Sequence, residues 1–349
     1  MVRVHRGVVA ALIAVGALVV GATPAYAHGA GGAQPTNYKT TISRISPKVE
    51  GLRVRPVDFG ARLELTYTGP GTVTVEGYDG EPFLRIGRGG VFRNERSPAT
   101  FLNRSSVPAV APPARFDPEA PPEWRRVSTG RTVRWHDHRA HWMASEPPDA
   151  VKADPWYCQV VIDGWEVPLL HGDRRVTVTG DVTWFPPPRP WPWAAAVVVA
   201  AAAVVGAGWT RRWPAVLLVA LVVLSVTETL HLVGALRFGV EPVTTRFASG
   251  VYSFGAIAAS AVAAIGLARR PARDVTPLAF VAGLAMFLAG GVADLATLGK
   301  ALVPSTLPAT ANRVFVALAL GLGAGVVITA ARHLRPEPRP AGPPGPDRR

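Results

Sequence analysis

The chain holds a single cysteine, Cys158, in 349 residues. A lone thiol excludes an intramolecular disulfide and zinc sites built on paired Cys-x-x-Cys motifs, so a domain outside the cytoplasm must be held by its own core. Catalytic signatures are missing too. No Gly-x-Ser-x-Gly elbow, His-Glu-x-x-His pattern or phosphate-cradling loop occurs in residues 28–190. The same stretch lacks helical periodicity of useful length. A net charge of +13 suggests nucleic acid only until it is located: residues 28–190 hold 21 Lys and Arg against 18 Asp and Glu. Much of the remaining excess flanks apolar runs, where it sets topology. A nucleic-acid partner is excluded on that ground.

What the chain does have is apolar residues pooled at both ends. Residues 1–27 carry the three parts of a signal peptide: Arg3 and Arg6, an apolar stretch from Val8 to Val20, and the cleavage site Ala25-Tyr26-Ala27. Residues 28–185 read as an extracytoplasmic all-β domain, an immunoglobulin-like or CopC-like sandwich. Alternation in Leu63–Tyr67, Val73–Glu76, Gln159–Ile162 and Val176–Trp184, broken by Gly-Pro and Asp-Gly turns, carries that reading. The Pro-rich stretch Val107–Pro122 predicts a long surface loop, and residues 186–192 a stiff linker.

Residues 193–333 contain five apolar runs, at 193–209, 214–236, 250–268, 277–299 and 312–332, predicting an α-helical bundle of five transmembrane helices in the lipid bilayer. Arg211, Arg212, Arg269, Arg270 and Arg273, with Arg332, Arg335 and Arg339, fall on one side of such a bundle. The positive-inside rule makes that side cytoplasmic and the N-terminal head extracytoplasmic. Residues 334–349 read as a disordered cytoplasmic tail rich in Pro and Arg.

Two groups of polar residues carry chemistry. In Trp135-His136-Asp137-His138-Arg139-Ala140-His141-Trp142-Met143, three of the chain's eight histidines lie within six residues. His136 and His138 share one face of an extended segment, and a turn after His138 would bring His141 alongside. Asp137 or Asp154 would orient an imidazole, Met143 lies near, and Trp135 and Trp142 would exclude water. Cleavage after Ala27 would make His28 the first residue, offering its amine and imidazole to the same ion. Nitrogen ligands of this kind favour copper, with zinc the alternative cation. A blue-copper centre would need Cys158, but no close Cys–His–Met spacing follows it, and Cys158 reads as a buried residue of an apolar strand. His171 reads as an exposed turn residue. The second group, Glu228, His231, Asp294 and Arg313 with Asn312, predicts an intramembrane polar cluster near the outer leaflet, in which Glu228 or Asp294 would pair with Arg313.

Gly77-Tyr78-Asp79-Gly80-Glu81-Pro82, Ser97-Pro98-Ala99-Thr100, the Trp135–Met143 block and Leu307-Pro308-Ala309-Thr310 resemble an uncharacterised family of actinobacterial membrane proteins. Those have a signal peptide, a β-sandwich head and a C-terminal multi-span region. His28 and the general layout are also similar to CopC- and CopD-type copper proteins, which pair an N-terminal-histidine sandwich with a multi-helix membrane domain. That similarity implies copper binding, delivery or tolerance, with a copper chaperone or envelope protein as partner. The competing expectations are a non-metal envelope scaffold or sensor and a copper-dependent oxidoreductase. An enzyme is not the reading the residues favour.

Overall fold

A computed structural model of the chain describes residues 33–104 and 111–334. The signal peptide, His28, part of the Pro-rich loop and the tail beyond Leu334 lie outside the described residues. The N-terminal region is antiparallel β-structure. Its strands are β1 (Tyr38–Ser46), β2 (Leu52–Val57), β3 (Arg62–Tyr67), β4 (Thr72–Glu76), β5 (Pro82–Gly87), β6 (Gly90–Asn94), β7 (Trp124–Ser128), β8 (Thr132–Trp135), β9 (Gln159–His171) and β10 (Arg174–Trp184). Short helices α1 (Pro98–Leu102) and α2 (Asp149–Ala153) interrupt them. Among the described residues the strands form a seven-stranded sheet, β1-β10-β9-β4-β5-β6-β7, and a three-stranded sheet, β2-β3-β8.

Alternation puts Leu63, Leu65 and Tyr67 of β3 and Trp135 of β8 against Val73, Val75, Val167, Leu169, Val176 and Val178 of the larger sheet, in one core. Burial of these side chains stabilises by about 1.5–3 kcal/mol each, which suffices without a disulfide. Cys158 corrects the expectation: it is exposed, just ahead of β9. His171 ends β9 half-buried, 2.8 Å from Tyr67 Oη.

The C-terminal region is helical: α3 (Trp191–Ala207), α4 (Trp213–Phe238), α5 (Val243–Ser249), α6 (Val251–Arg269), α7 (Ala272–Met286), a π-helical segment (Phe287–Val292), α8 (Ala296–Gly299) and α9 (Ala309–Leu334). Among the described residues four helices are long and apolar enough to cross a membrane: α4, α6, the interrupted run Ala272–Gly299, and α9. The chain is therefore a multi-pass membrane protein. The first expected span, 193–209, forms the shorter α3, of 17 residues. The expected linker ends sooner than its composition suggests, because Pro192 sits in the first turn of α3, where its missing N–H costs no helical bond.

Small residues set the helix packing. A Cβ on Gly321 would lie 2.6 Å from the Val197 carbonyl, and one on Gly325 would lie 2.6 Å from Val204 Cβ. Further along, His333 Nε2 donates to the Gly208 carbonyl at 3.2 Å. Contacts that advance together along both helices mean that α3 and α9 run side by side in the same direction.

Several contacts join the two regions. Thr36 bridges Leu302, and Ala301 N donates to Asn37 Oδ1 at 2.8 Å. On the other flank, Arg62 pairs with Glu241, and the Phe59 ring meets that of Phe238 at 5.1 Å. The turn Asp58–Gly60 makes this possible by holding Asp58 and Phe59 at φ 54° and 61°, a strained left-handed backbone for a bulky residue. Gly60 completes the turn at φ +105°, where a Cβ would fall 2.0 Å from Thr40 Oγ1. Gly60→Ala should therefore destabilise the protein by about 1–3 kcal/mol, which denaturation of the detergent-solubilised chain would measure.

Candidate metal-binding site and intramembrane polar cluster

Strand β8 ends at Trp135, and the chain then bends through His136 and Asp137 into a 3-10 turn at His138–Ala140. The bend is pinned from below. Asp137 is fully buried and accepts from Trp135 Nε1 at 2.8 Å, from Arg139 N at 3.1 Å, and from Arg139 Nε and Nη2 at 2.9 Å each. Arg139 donates onward to the Gly77 and Glu76 carbonyls at 3.1 Å and stacks over Tyr78. Desolvation opposes ionisation of Asp137, but the Arg139 guanidinium wins and holds the carboxyl below its usual range. Thr40 Oγ1 donates to the Ala140 carbonyl at 2.6 Å, tying the turn to β1.

This bend brings three imidazoles together. The His136 ring meets both others, its centroid 5.2 Å from His138 and 5.1 Å from His141, each pair edge to face. His136 Nδ1 donates to the Ala61 carbonyl. That bond fixes the tautomer, so Nε2 carries a lone pair; it is buried and has no hydrogen-bond partner among the described residues. His138 sits against Tyr78, whose hydroxyl accepts from its backbone N–H at 3.0 Å. Burial, then the neighbouring imidazoles, push His141 down to about 4, and burial foremost lowers His136. Both rings are thus neutral at physiological pH. As placed, no three His, Cys, Asp or Glu side chains among the described residues are arranged to hold an ion.

Two expected supporting residues differ. Asp137 orients Trp135 and Arg139 rather than an imidazole; the backbone carbonyl of Ala61, sixty or more residues away in sequence and invisible to motif reading, takes that role. Asp154 is exposed at the end of α2. Met143 is half-buried two residues beyond His141, and Trp142 stacks on Tyr38 at 6.2 Å. His28 lies outside the described residues.

The depressed histidines carry a pH signature. Unfolded imidazoles take up protons below pH 6.5, whereas folded His141 resists until about pH 4. Stability from this source is fully present above pH 6.5 and is lost as pH falls through that window. Acid titration of the metal-free chain should show the decline, and His141→Asn should flatten it.

In the membrane region, Asn312 Nδ2 donates to the Leu307 and Pro308 carbonyls at 3.2 and 2.9 Å, which aims Oδ1 at His231. His231 Nδ1 therefore donates to Asn312 at 2.9 Å, and Nε2 faces Asp294 Oδ2 at 3.3 Å. Glu228 is buried one turn earlier against the π-helical segment, where a Cβ on Gly290 would lie 2.4 Å from its carboxylate. Single-turn π-segments inside helices are frequent at functional sites. Arg313 overturns the expected pairing: it donates to the carbonyls of Thr297, Lys300 and Ala301 at 3.3, 2.7 and 3.0 Å. It closes the α8 end instead of neutralising Glu228 or Asp294, because the open helix terminus supplies carbonyls that need donors.

No protein-family model, curated protein or solved structure matches the chain.

Proposed function

We propose that the chain is a membrane-anchored, extracytoplasmic metal-binding protein that takes copper for binding, delivery or tolerance. The observation that carries this reading is His136: a buried imidazole whose tautomer is locked by a backbone carbonyl, with its other nitrogen unpartnered and two more imidazoles against it. A buried ring nitrogen without a partner costs about 1–3 kcal/mol, a cost that a bound cation would offset. Small rotations of His138 and His141 would turn edge-to-face rings into ligands.

The head is read as a two-sheet sandwich, though its seven and three strands are not the four and three of an immunoglobulin constant domain. We take α3 as a fifth span, because it lies in register beside α9, which is long enough to cross. Five spans and the arginine pattern support a head outside and a C-terminus in the cytoplasm. The cluster of Glu228, His231 and Asp294 then lies under the head, as a relay for the cation or for protons.

The test is copper titration of the full chain beginning at His28, with Cys158→Ser removing the competing thiol. One equivalent of Cu(II) should bind, and an added residue before His28 should weaken it. Unchanged copper content in a variant with alanine at His136, His138 and His141 would favour the scaffold or sensor reading instead.

A further inference from the structure

We propose that the segment 156–160, with Arg189 and Trp191, is a foot that rests in the lipid headgroup layer beside α3. Strand β9 begins where β10 ends: Gln159 pairs with Trp184, and Trp184 Nε1 donates to the Pro155 carbonyl at 3.1 Å. Seven residues after Trp184 the chain enters α3 at Trp191, so this edge of the head is the one from which the helix enters the bilayer. There the surface turns apolar and aromatic: Trp156 is 48% exposed, Tyr157 68%, Val160 56% and Trp191 68%. Such side chains have no reason to crowd a water-facing edge, but Trp and Tyr are the residues that settle at a membrane interface, apolar body inward and polar tip to the headgroups. The Arg189 guanidinium lies over the Trp156 ring at 5.2 Å, a cation placed to meet lipid phosphate. The patch is continuous with the span that α3 begins, so its occupant is lipid.

Cys158, the chain's single cysteine, stands exposed in the middle of this segment and reports on it without any new thiol. The full chain would carry an environment-sensitive fluorophore on Cys158 in phosphatidylcholine nanodiscs. A headgroup nitroxide lipid should quench it at least about two-fold, while aqueous iodide has little effect. The control is the same fluorophore on Asp173→Cys in a Cys158→Ser chain, at the far tip of the β9–β10 hairpin, which iodide alone should quench. Replacing Trp156 and Tyr157 by serine should shift the Cys158 probe toward the control. A Cys158 probe that behaves like the Asp173 control overturns the proposal. Shielding from iodide without quenching by lipid also overturns it, because the cover would then be protein.

Discussion

Replacing His136 by alanine is expected to lower Cu(II) affinity by more than about 100-fold, the largest binding effect of any single substitution in the head. Loss of a group that merely supports a ligand costs 10–100-fold, and in the proposed site His136 is itself a ligand. Its ring is in contact with both others, and its tautomer is fixed by the Ala61 carbonyl. His138→Ala and His141→Ala should cost less, since each leaves His136 with one other imidazole against it. Isothermal titration at pH 7 would rank the three. Equal, small losses would mean that the three rings are packing and the ion sits elsewhere. Gly60→Ala acts at a distance: by disturbing the turn that presents the Ala61 carbonyl, it should weaken copper binding while leaving all imidazoles in place.

The largest stability effect should come from Asp137→Ala, a loss of about 3–5 kcal/mol. The substitution leaves Arg139, four-fifths buried, without its carboxylate and the Trp135 indole N–H without its acceptor. Asp154→Ala, at an exposed carboxylate, should fall within about 0.5 kcal/mol of the parent. Tryptophan fluorescence during chemical denaturation would separate them. Acid adds a second signature: the Asp137 contribution is present above its ordinary carboxyl range and disappears as pH falls below it, lower than the histidine window. Similar losses for both aspartates would show that the Asp137 network does not brace the histidine bend.

These residues also show what could be read from the sequence alone. The strands around Leu63–Tyr67 and Val176–Trp184 were legible because alternation has one period and one meaning, and the four long spans because composition decides them. The adjacency of His136, His138 and His141 followed from spacing. The partners did not. Asp137 stands beside two histidines in the sequence yet serves Arg139, because a buried carboxylate is drawn to the cation that compensates its desolvation. Ala61 has no side-chain chemistry to read, and only the strained turn before it reveals why its carbonyl matters. Arg313 misled for a related reason: charge complementarity suggests a carboxylate, while an open helix end, which no residue type marks, offers three carbonyls. Cys158 lay one residue outside the strand that its apolar neighbours suggested.

The proposed copper site depends on one ion shared by the imidazoles of the Trp135–Met143 bend. Pulsed electron paramagnetic resonance of the copper-loaded full chain, with each histidine replaced in turn, counts the imidazole nitrogens at the metal. The expected result is a single Cu(II) species that loses one imidazole coupling in His136→Ala and one in His138→Ala or His141→Ala. A spectrum that keeps every coupling in the His136→Ala chain would contradict it.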